Sequence, residues 1–297
     1  MIRRLLQRML GGSRASHASA AVGPIDAALL TTLGLDAATA RRLIQPGTPP
    51  GLGYRQLTLS KRDGSPREVL EPQPQLKAIQ RRLLALLRAD PHPAALGFRR
   101  GCSIADHAWA HAGAAIIITA DIQDFFPSTA HWRIAAWWRQ RGYDEAETEL
   151  LTRLTTCRGA LPQGAPTSPA LSNLVNYELD SALERFVKAS GGRYTRYVDD
   201  LALSWPDGCR LPAGLEAGVR SRLREYGYTL HPRKGWRIWR RADQPELTGL
   251  TLDRTGGVDL PPSLKRIMRT LAQSQHPHDR RRLAGYEAYR EMVRRPR

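Results

Sequence analysis

The chain has 297 residues, 41% of them hydrophobic, and carries 45 Lys and Arg against 28 Asp and Glu. That length buries a sizeable core, in one large domain or two or three small ones, and the apolar content excludes a disordered chain. A formal net charge of +17 far exceeds what solubility requires, so a polyanionic partner is expected, nucleic acid ahead of an acidic membrane surface.

Residues 1–22 are rich in Arg, Ala, Ser and Gly and read as a basic arm or frayed helix. The opening MIRRLLQRML is basic and apolar enough to raise the membrane alternative, but it is too short to span and lacks the apolar core of a signal peptide. No other stretch approaches the ~18 apolar residues of a membrane span, so a soluble, cytoplasmic protein is expected. Two short helices follow, around Asp26–Leu33 and Asp36–Ile44, before the Pro/Gly punctuation of QPGTPPGLG. Tyr54–Leu59 and Arg67–Leu70 then alternate as a hairpin around Asp63 and Gly64, with Lys61 and Arg67 flanking the turn. Leu76, Ile79, Leu83 and Leu87 share one face of a helix expected over Pro74–Arg88.

The next strand, Ile116–Thr119, is β-branched and apolar and runs up to Asp121. Ser128 is placed to cap a helix over Thr129–Gln140, and a second helix is expected over Asp144–Thr156. LPQGAPTSPALSNLVNYELDSALERFV starts as a Pro/Gly loop and becomes one long helix, with Ser168 as N-cap and Pro169 first inside. RYTRYVDDLALSW reads as two short strands with Asp199 and Asp200 at the hairpin tip. Beyond it come a helix (Gly214–Tyr226), a strand, a basic turn (His231–Lys234), a strand with Trp236 and Trp239, a hairpin over Leu247–Leu260, and two basic helices from Pro262 onward. Strands and helices mixed without regular alternation indicate an α+β fold.

Cys102, Cys157 and Cys209 are odd in number and unclustered, which suits neither a disulfide framework nor a zinc site. His107 and His111 stand four residues apart on a helix; with no following acidic ligand, packing or capping is favoured over zinc. Asp199 and Asp200 carry the most information. An Asp-Asp pair is common in turns that bond to their own backbone, which is the plain alternative. Adjacent half-buried carboxylates otherwise repel and lose hydration, and a divalent cation is the simplest compensation. Asp121, at the end of a separate apolar strand, would complete an oxygen-rich site for two hard cations.

A basic hairpin, the Asp121 strand, a Gly-rich loop into a helix and the Asp199-Asp200 hairpin follow one another in an order that resembles the reverse transcriptases, over roughly residues 54–290. Asp121 with Phe125, Phe126, Pro127 and Ser128 looks like that family's first catalytic motif, LPQGAPTSPALSNL like its loop-and-helix motif, and Tyr197–Asp200 like its hairpin motif. The resemblance implies an α+β right-hand polymerase: a basic arm at 1–22, fingers at 23–112, palm at 113–255 with finger elements around 129–165, and a short helical thumb at 256–297. It implies two Mg2+ ions about 4 Å apart held by Asp121 and Asp199, with Asp200 adjacent and the Ile122 carbonyl an extra ligand. Lys61 and Arg67 would clamp the triphosphate of a dNTP, the alternative being a solvated hairpin face. Phe125, Phe126, Gln163 and Gly164 would line the nucleotide pocket, with Phe126 excluding a 2′-hydroxyl by bulk; at least one of the two rings is expected in the core. Ser172, Asn173 and Asn176 read as polar positions of the helix.

Within the family the chain is most similar to the bacterial retron enzymes. GFRRGCSIADHAWAH and LTGL resemble retron elements, with His107, Leu247 and Val198 standing where those enzymes carry Asn, Val and Ala. This implies copying of a structured noncoding RNA into single-stranded DNA branched from an RNA 2′-hydroxyl, in phage defence with an effector protein. Lys265, Arg266, Arg269, Arg280, Arg281, Arg282 and Arg290 would grip duplex backbone from the closing helices, the alternative being a solvated basic face. The rival readings are another defence-associated or group II intron-like reverse transcriptase, or a catalytically silent RNA-binding scaffold on the same fold.

Overall fold

The computed structural model describes residues 24–45, 53–60, 64 and 66–294. The basic arm at 1–22 and Lys61 lie outside the described residues. Asp26 and Asp36 each accept backbone N–H groups at the start of α1 (Ala27–Leu33) and α2 (Ala37–Ile44). The expected hairpin is β1 (Tyr54–Ser60) against β2 (Pro66–Pro72), antiparallel from Tyr54 opposite Pro72 to Ser60 opposite Pro66. α3 (Pro74–Leu83) stops short of the expected Arg88, because Leu86 N–H and Leu87 N–H turn to the carbonyls three residues back. Leu87 still reaches the core.

α4 (Ile104–Trp109) precedes β3 (Ile116–Asp121), and α5 (His131–Gln140) follows it. Ser128 does not cap α5. Its hydroxyl turns back to the Gln123 carbonyl, and Ala130 occupies the N-cap position. Asp144 and Glu147 form a reciprocal capping box on α6 (Glu145–Thr155). The expected long helix is two, α7 (Ser168–Val175) and α8 (Tyr177–Lys188), with Ser168 as the first helical residue rather than the N-cap. The break falls at Asn176, whose buried side chain receives Arg133 and donates to the Tyr228 hydroxyl.

β4 (Arg193–Tyr197), β5 (Asp200–Trp205) and, beyond α9 (Leu215–Glu225), β6 (Arg237–Arg240) join β3 in a four-stranded antiparallel sheet of order β4-β5-β3-β6. The segment over Leu247–Leu260 is a three-stranded sheet rather than a single hairpin: β7 (Glu246–Leu247), β8 (Leu250–Leu252) and β9 (Val258–Asp259). α10 (Pro262–Ala272) and α11 (Pro277–Arg294) close the chain.

Three apolar clusters hold these elements. α1–α3 pack with α5–α7 around Leu33, Leu83, Ile134, Trp138, Leu150 and Leu151. One face of the four-stranded sheet, through Ile118, Ala120, Leu201 and Leu203, is covered by α8 and α9. The opposite face, through Ile117 and Ala202, meets α4, β7–β9 and the two closing helices. Side-chain alternation in β3 and β5 generates both faces from a single pair of strands. No helix of the described residues is long and apolar enough to cross a membrane.

Candidate active site

The sheet's central strands set the carboxylates. β3 ends at Asp121, which is registered opposite Asp200, the first residue of β5. Directly opposed residues project to one face, so these two side chains stand together on the face toward α4 and β7. Asp200 is also opposite Tyr197, so Val198 and Asp199 are the two turn residues of the hairpin. Val198 has φ 62°, a left-handed conformation that β-branched residues rarely adopt. The Asp199 carbonyl accepts the Ile122 N–H at 2.9 Å and the Asp121 carbonyl accepts the His231 N–H at 2.8 Å, tying the turn and the basic segment to the end of β3.

All three carboxylates are half-buried. Burial raises the Asp199 carboxyl above the ordinary range and Asp121 adds to it, while Arg67 and Arg196 oppose the rise. Asp200 is pushed up to about 7 by burial, then by repulsion from Asp199 and Asp121, with Lys234 opposing. Such a pair favours any added positive charge. Hard carboxylate oxygens whose charge is penalised by burial and by one another are a donor set that fits a divalent cation.

Two clefts flank the carboxylates. A cleft of about 570 Å³ collects Asp121, Ile122, Asp199, Phe126, Gln163 and Arg67, residues drawn from β2, the end of β3, the Gly-rich loop and the hairpin turn. A smaller one of about 150 Å³ takes Asp121 and Asp200 with His107, Lys234, Arg237 and Thr248. Asp121 serves both, Asp199 the larger and Asp200 the smaller.

Phe125 also touches the larger cleft, but its ring is 97% buried, stacked on Tyr228 at 5.4 Å. Phe126 is only half-buried and is the ring offered to the cleft. Gly164 does not line it: a Cβ there would come within 2.7 Å of Val69 Cγ1 and 3.0 Å of the Leu70 carbonyl, so the glycine lets the loop approach β2. The contact is sealed by Leu70 N–H donating to the Gln163 carbonyl at 2.7 Å.

His107 and His111 are not metal ligands but buried struts behind β4. Thr195 Oγ1 meets His107 Nδ1 at 2.9 Å and His111 Nε2 at 2.7 Å, and His111 Nδ1 meets Ser204 Oγ at 2.7 Å. Burial lowers both imidazoles, His107 to about 3, so they stay neutral. Asn173 and Asn176, read as polar positions of the helix, are buried and hydrogen-bonded.

The basic residues of the closing helices divide. Lys265 and Arg290 are held by Asp259, at 3.0 Å each, together with Arg294 at 2.7 Å. Burial works to raise the Asp259 carboxyl, but hydrogen bonds from Arg290, Arg294 and Lys265 keep it well below the carboxylate range. These ion pairs tie α10 and α11 to β9. Arg266, Arg269, Arg280, Arg281 and Arg282 are exposed, with Arg282 3.7 Å from Asp279 and Arg280 bonded to Gln275.

Lys234, which lines both clefts, is among the residues that sequence reasoning passed over. It sits in a turn noted only for its charge, and nothing in the sequence brings that turn to β3. The bridge between Ile122 and Leu230 does so.

The family profile described as Reverse transcriptase (RNA-dependent DNA polymerase) matches residues 59–252. The chain belongs to the reverse transcriptase family. It is 38% identical to the Retron Mx162 reverse transcriptase of Myxococcus xanthus over 232 residues, 68% of this chain and 48% of that protein. It is 33% identical to the Retron Mx65 reverse transcriptase of the same organism over 263 residues, 81% of this chain and 61% of that one. With the Retron Ec86 reverse transcriptase of Escherichia coli it shares 36% identity over 157 residues, 51% of this chain and 48% of the other. The similarity is thus to retron-type members, and the chain spans about half to three fifths of their length. Among solved structures, apo telomerase from Candida tropicalis, truncated from its C-terminal domain, superposes with a TM-score of 0.51 at 11% identity, covering 73% of this chain and 56% of the other. That match concerns the fold, the α+β right hand of a polymerase.

Proposed function

We propose that this reverse transcriptase family member is an RNA-directed DNA polymerase of the retron type, which copies a cognate structured noncoding RNA into single-stranded DNA. The observation that carries the reading is the larger cleft, where Asp121 and Asp199 meet Phe126, Gln163 and Arg67. In this reading α1–α3 with the β1-β2 hairpin, joined by α5 and α6, form the fingers, the four-stranded sheet with α7–α9 the palm, and α10–α11 the thumb.

Asp121 and Asp199 hold the divalent ions, with the Ile122 carbonyl beside them and Asp200 next in line. A bound pair of Mg2+ ions supplies activation of a sugar hydroxyl and neutralisation of phosphate charge. The protein does the rest by positioning. Arg67 offers a planar fork to the triphosphate, and Lys61, near it in the sequence, is proposed as a second charge. The Phe126 ring lies against the sugar and has no room for a 2′-hydroxyl. Gln163 supplies both a donor and an acceptor to the nucleotide. DNA synthesis starts from an internal RNA 2′-hydroxyl and leaves a branched product, and the system acts in phage defence with an effector protein; the similarity to retron enzymes supports both.

The test is primer extension and self-primed synthesis with dNTPs and Mg2+ on a panel of RNA templates, including RNA transcribed from the DNA flanking the gene. Magnesium-dependent DNA product is expected. No DNA from the wild type on any template would remove the polymerase reading.

A further inference from the structure

Arg196 lies two residues before the hairpin turn, and its side chain is fully buried, as is that of Asp180 on α8. The pair is bidentate: Nε to Oδ1 at 2.8 Å and one terminal nitrogen to Oδ2 at 2.7 Å. Asp180 Oδ1 also accepts the Tyr194 hydroxyl at 2.8 Å. The remaining terminal nitrogen donates to the Val198 carbonyl at 3.0 Å. The guanidinium carbon stands 5.3 Å from the centre of the Phe125 ring, and the Arg196 backbone bonds in both directions to the segment at Ala94–Leu96. One buried cation therefore touches α8, the turn that carries Asp199, and the residue beside Phe126.

The plain alternative is a buried ion pair that only supports the fold. Such pairs add little net stability, and apolar residues of similar size often do as well. Two observations point further. The bond to Val198 is made to the residue held at φ 62°, a conformation that strains a β-branched side chain. The turn is also confined from the other side: a Cβ on Gly97 would lie 2.6 Å from Val198 N, and Asn173 fixes the Gly97 carbonyl at 2.7 Å.

We infer that Arg196, braced by Asp180, is a positioning residue that holds Val198 in its left-handed conformation and thereby aims Asp199 into the nucleotide cleft. The inference rests on the reading of Asp121 and Asp199 as the metal-holding pair. Lysine cannot replace the arginine, because a single ammonium does not reach both carboxylate oxygens and the Val198 carbonyl in one plane.

The experiment is a double-mutant cycle of Arg196→Lys with Val198→Gly, reading kcat, KM for dNTP, and RNA affinity, alongside Asp121→Asn. R196K is expected to lower kcat by about 10²-fold through misplacement of Asp199, with KM and RNA affinity within about 3-fold. Glycine takes positive φ without strain, so in the V198G background the same substitution should cost less than about 5-fold. A role in stability alone would give equal losses in both backgrounds, and that result overturns the inference. So does a kcat for R196K close to that of the parent.

If R196K does not fold, R196M with D180L replaces the ion pair by packed apolar groups and carries the same readings. Failure of both to fold also overturns the inference, by making Arg196 a stability residue. Synthesis that survives Asp121→Asn would instead sink the site reading itself. Loss in Asp121→Asn with no loss in R196K would sink only the role of Arg196.

Discussion

Phe126 and Asp200 show how one residue's surroundings decide its work. Phe125 and Phe126 are indistinguishable by type, yet Phe125 stacks on Tyr228 while Phe126 is half-buried against the cleft. Phe126→Val is expected to raise ribonucleotide incorporation relative to deoxyribonucleotide by about 10-fold or more, read from competition assays, because removing bulk relieves a steric exclusion. A variant as selective as its parent would return Phe126 to a packing role. Asp200, pushed up to about 7 by burial and by Asp199 and Asp121, gives a pH dependence of stability in metal-free protein. The native state binds its proton more tightly than the unfolded chain, so this contribution is intact at low pH and fades as pH rises from about 4 through 7. Asp200→Asn should flatten the fall in Tm between pH 5 and 8 by roughly 3 °C or more. An unchanged slope would mean that Asp200 is solvated in the folded protein.

Among the elements, the sequence foretold those governed by local rules and missed those governed by contacts. Asp26, Asp36 and Asp144 cap their helices because the cap is a bond within three residues. The β-branched apolar run before Asp121 and the apolar stretch around Asp199 and Asp200 likewise located β3 and the hairpin. Ser128 satisfied the same local rule and failed, since its hydroxyl is drawn to the Gln123 carbonyl in the turn that shapes the cleft. The break at Asn176 depends on Arg133 and Tyr228, which are distant in sequence. Nothing in the sequence singled out Arg196 or Asp180, which meet only when β4 packs on α8.

In the closing helices Lys265 and Arg290, read from the sequence as phosphate contacts, are both paired with Asp259. Asp259→Ala is expected to lower stability by about 1–3 kcal/mol by releasing three cations, measured by chemical denaturation. Replacing Arg280, Arg281 and Arg282 with Gln should leave stability nearly unchanged. It should also reduce the slope of log affinity for nucleic acid against log salt by up to about 0.9 per arginine that meets a phosphate. An unaltered slope would show that this helix faces away from the nucleic acid.

For the whole molecule, a charge of +17 surrounds a site built from carboxylates. The positive field concentrates a polyanion at the protein, while the carboxylates at the end of β3 offer oxygen ligands to cations. Binding and chemistry are thus assigned to different residues and should separate on mutation. The most direct measurement compares the parent with Asp199→Asn in single-turnover DNA synthesis on an RNA template with Mg2+, with RNA affinity determined on the same preparations. Loss of synthesis by at least about 10³-fold with RNA affinity within about 2-fold is the expected result. Comparable synthesis by the two proteins would contradict the assignment of Asp199 and, with it, the site.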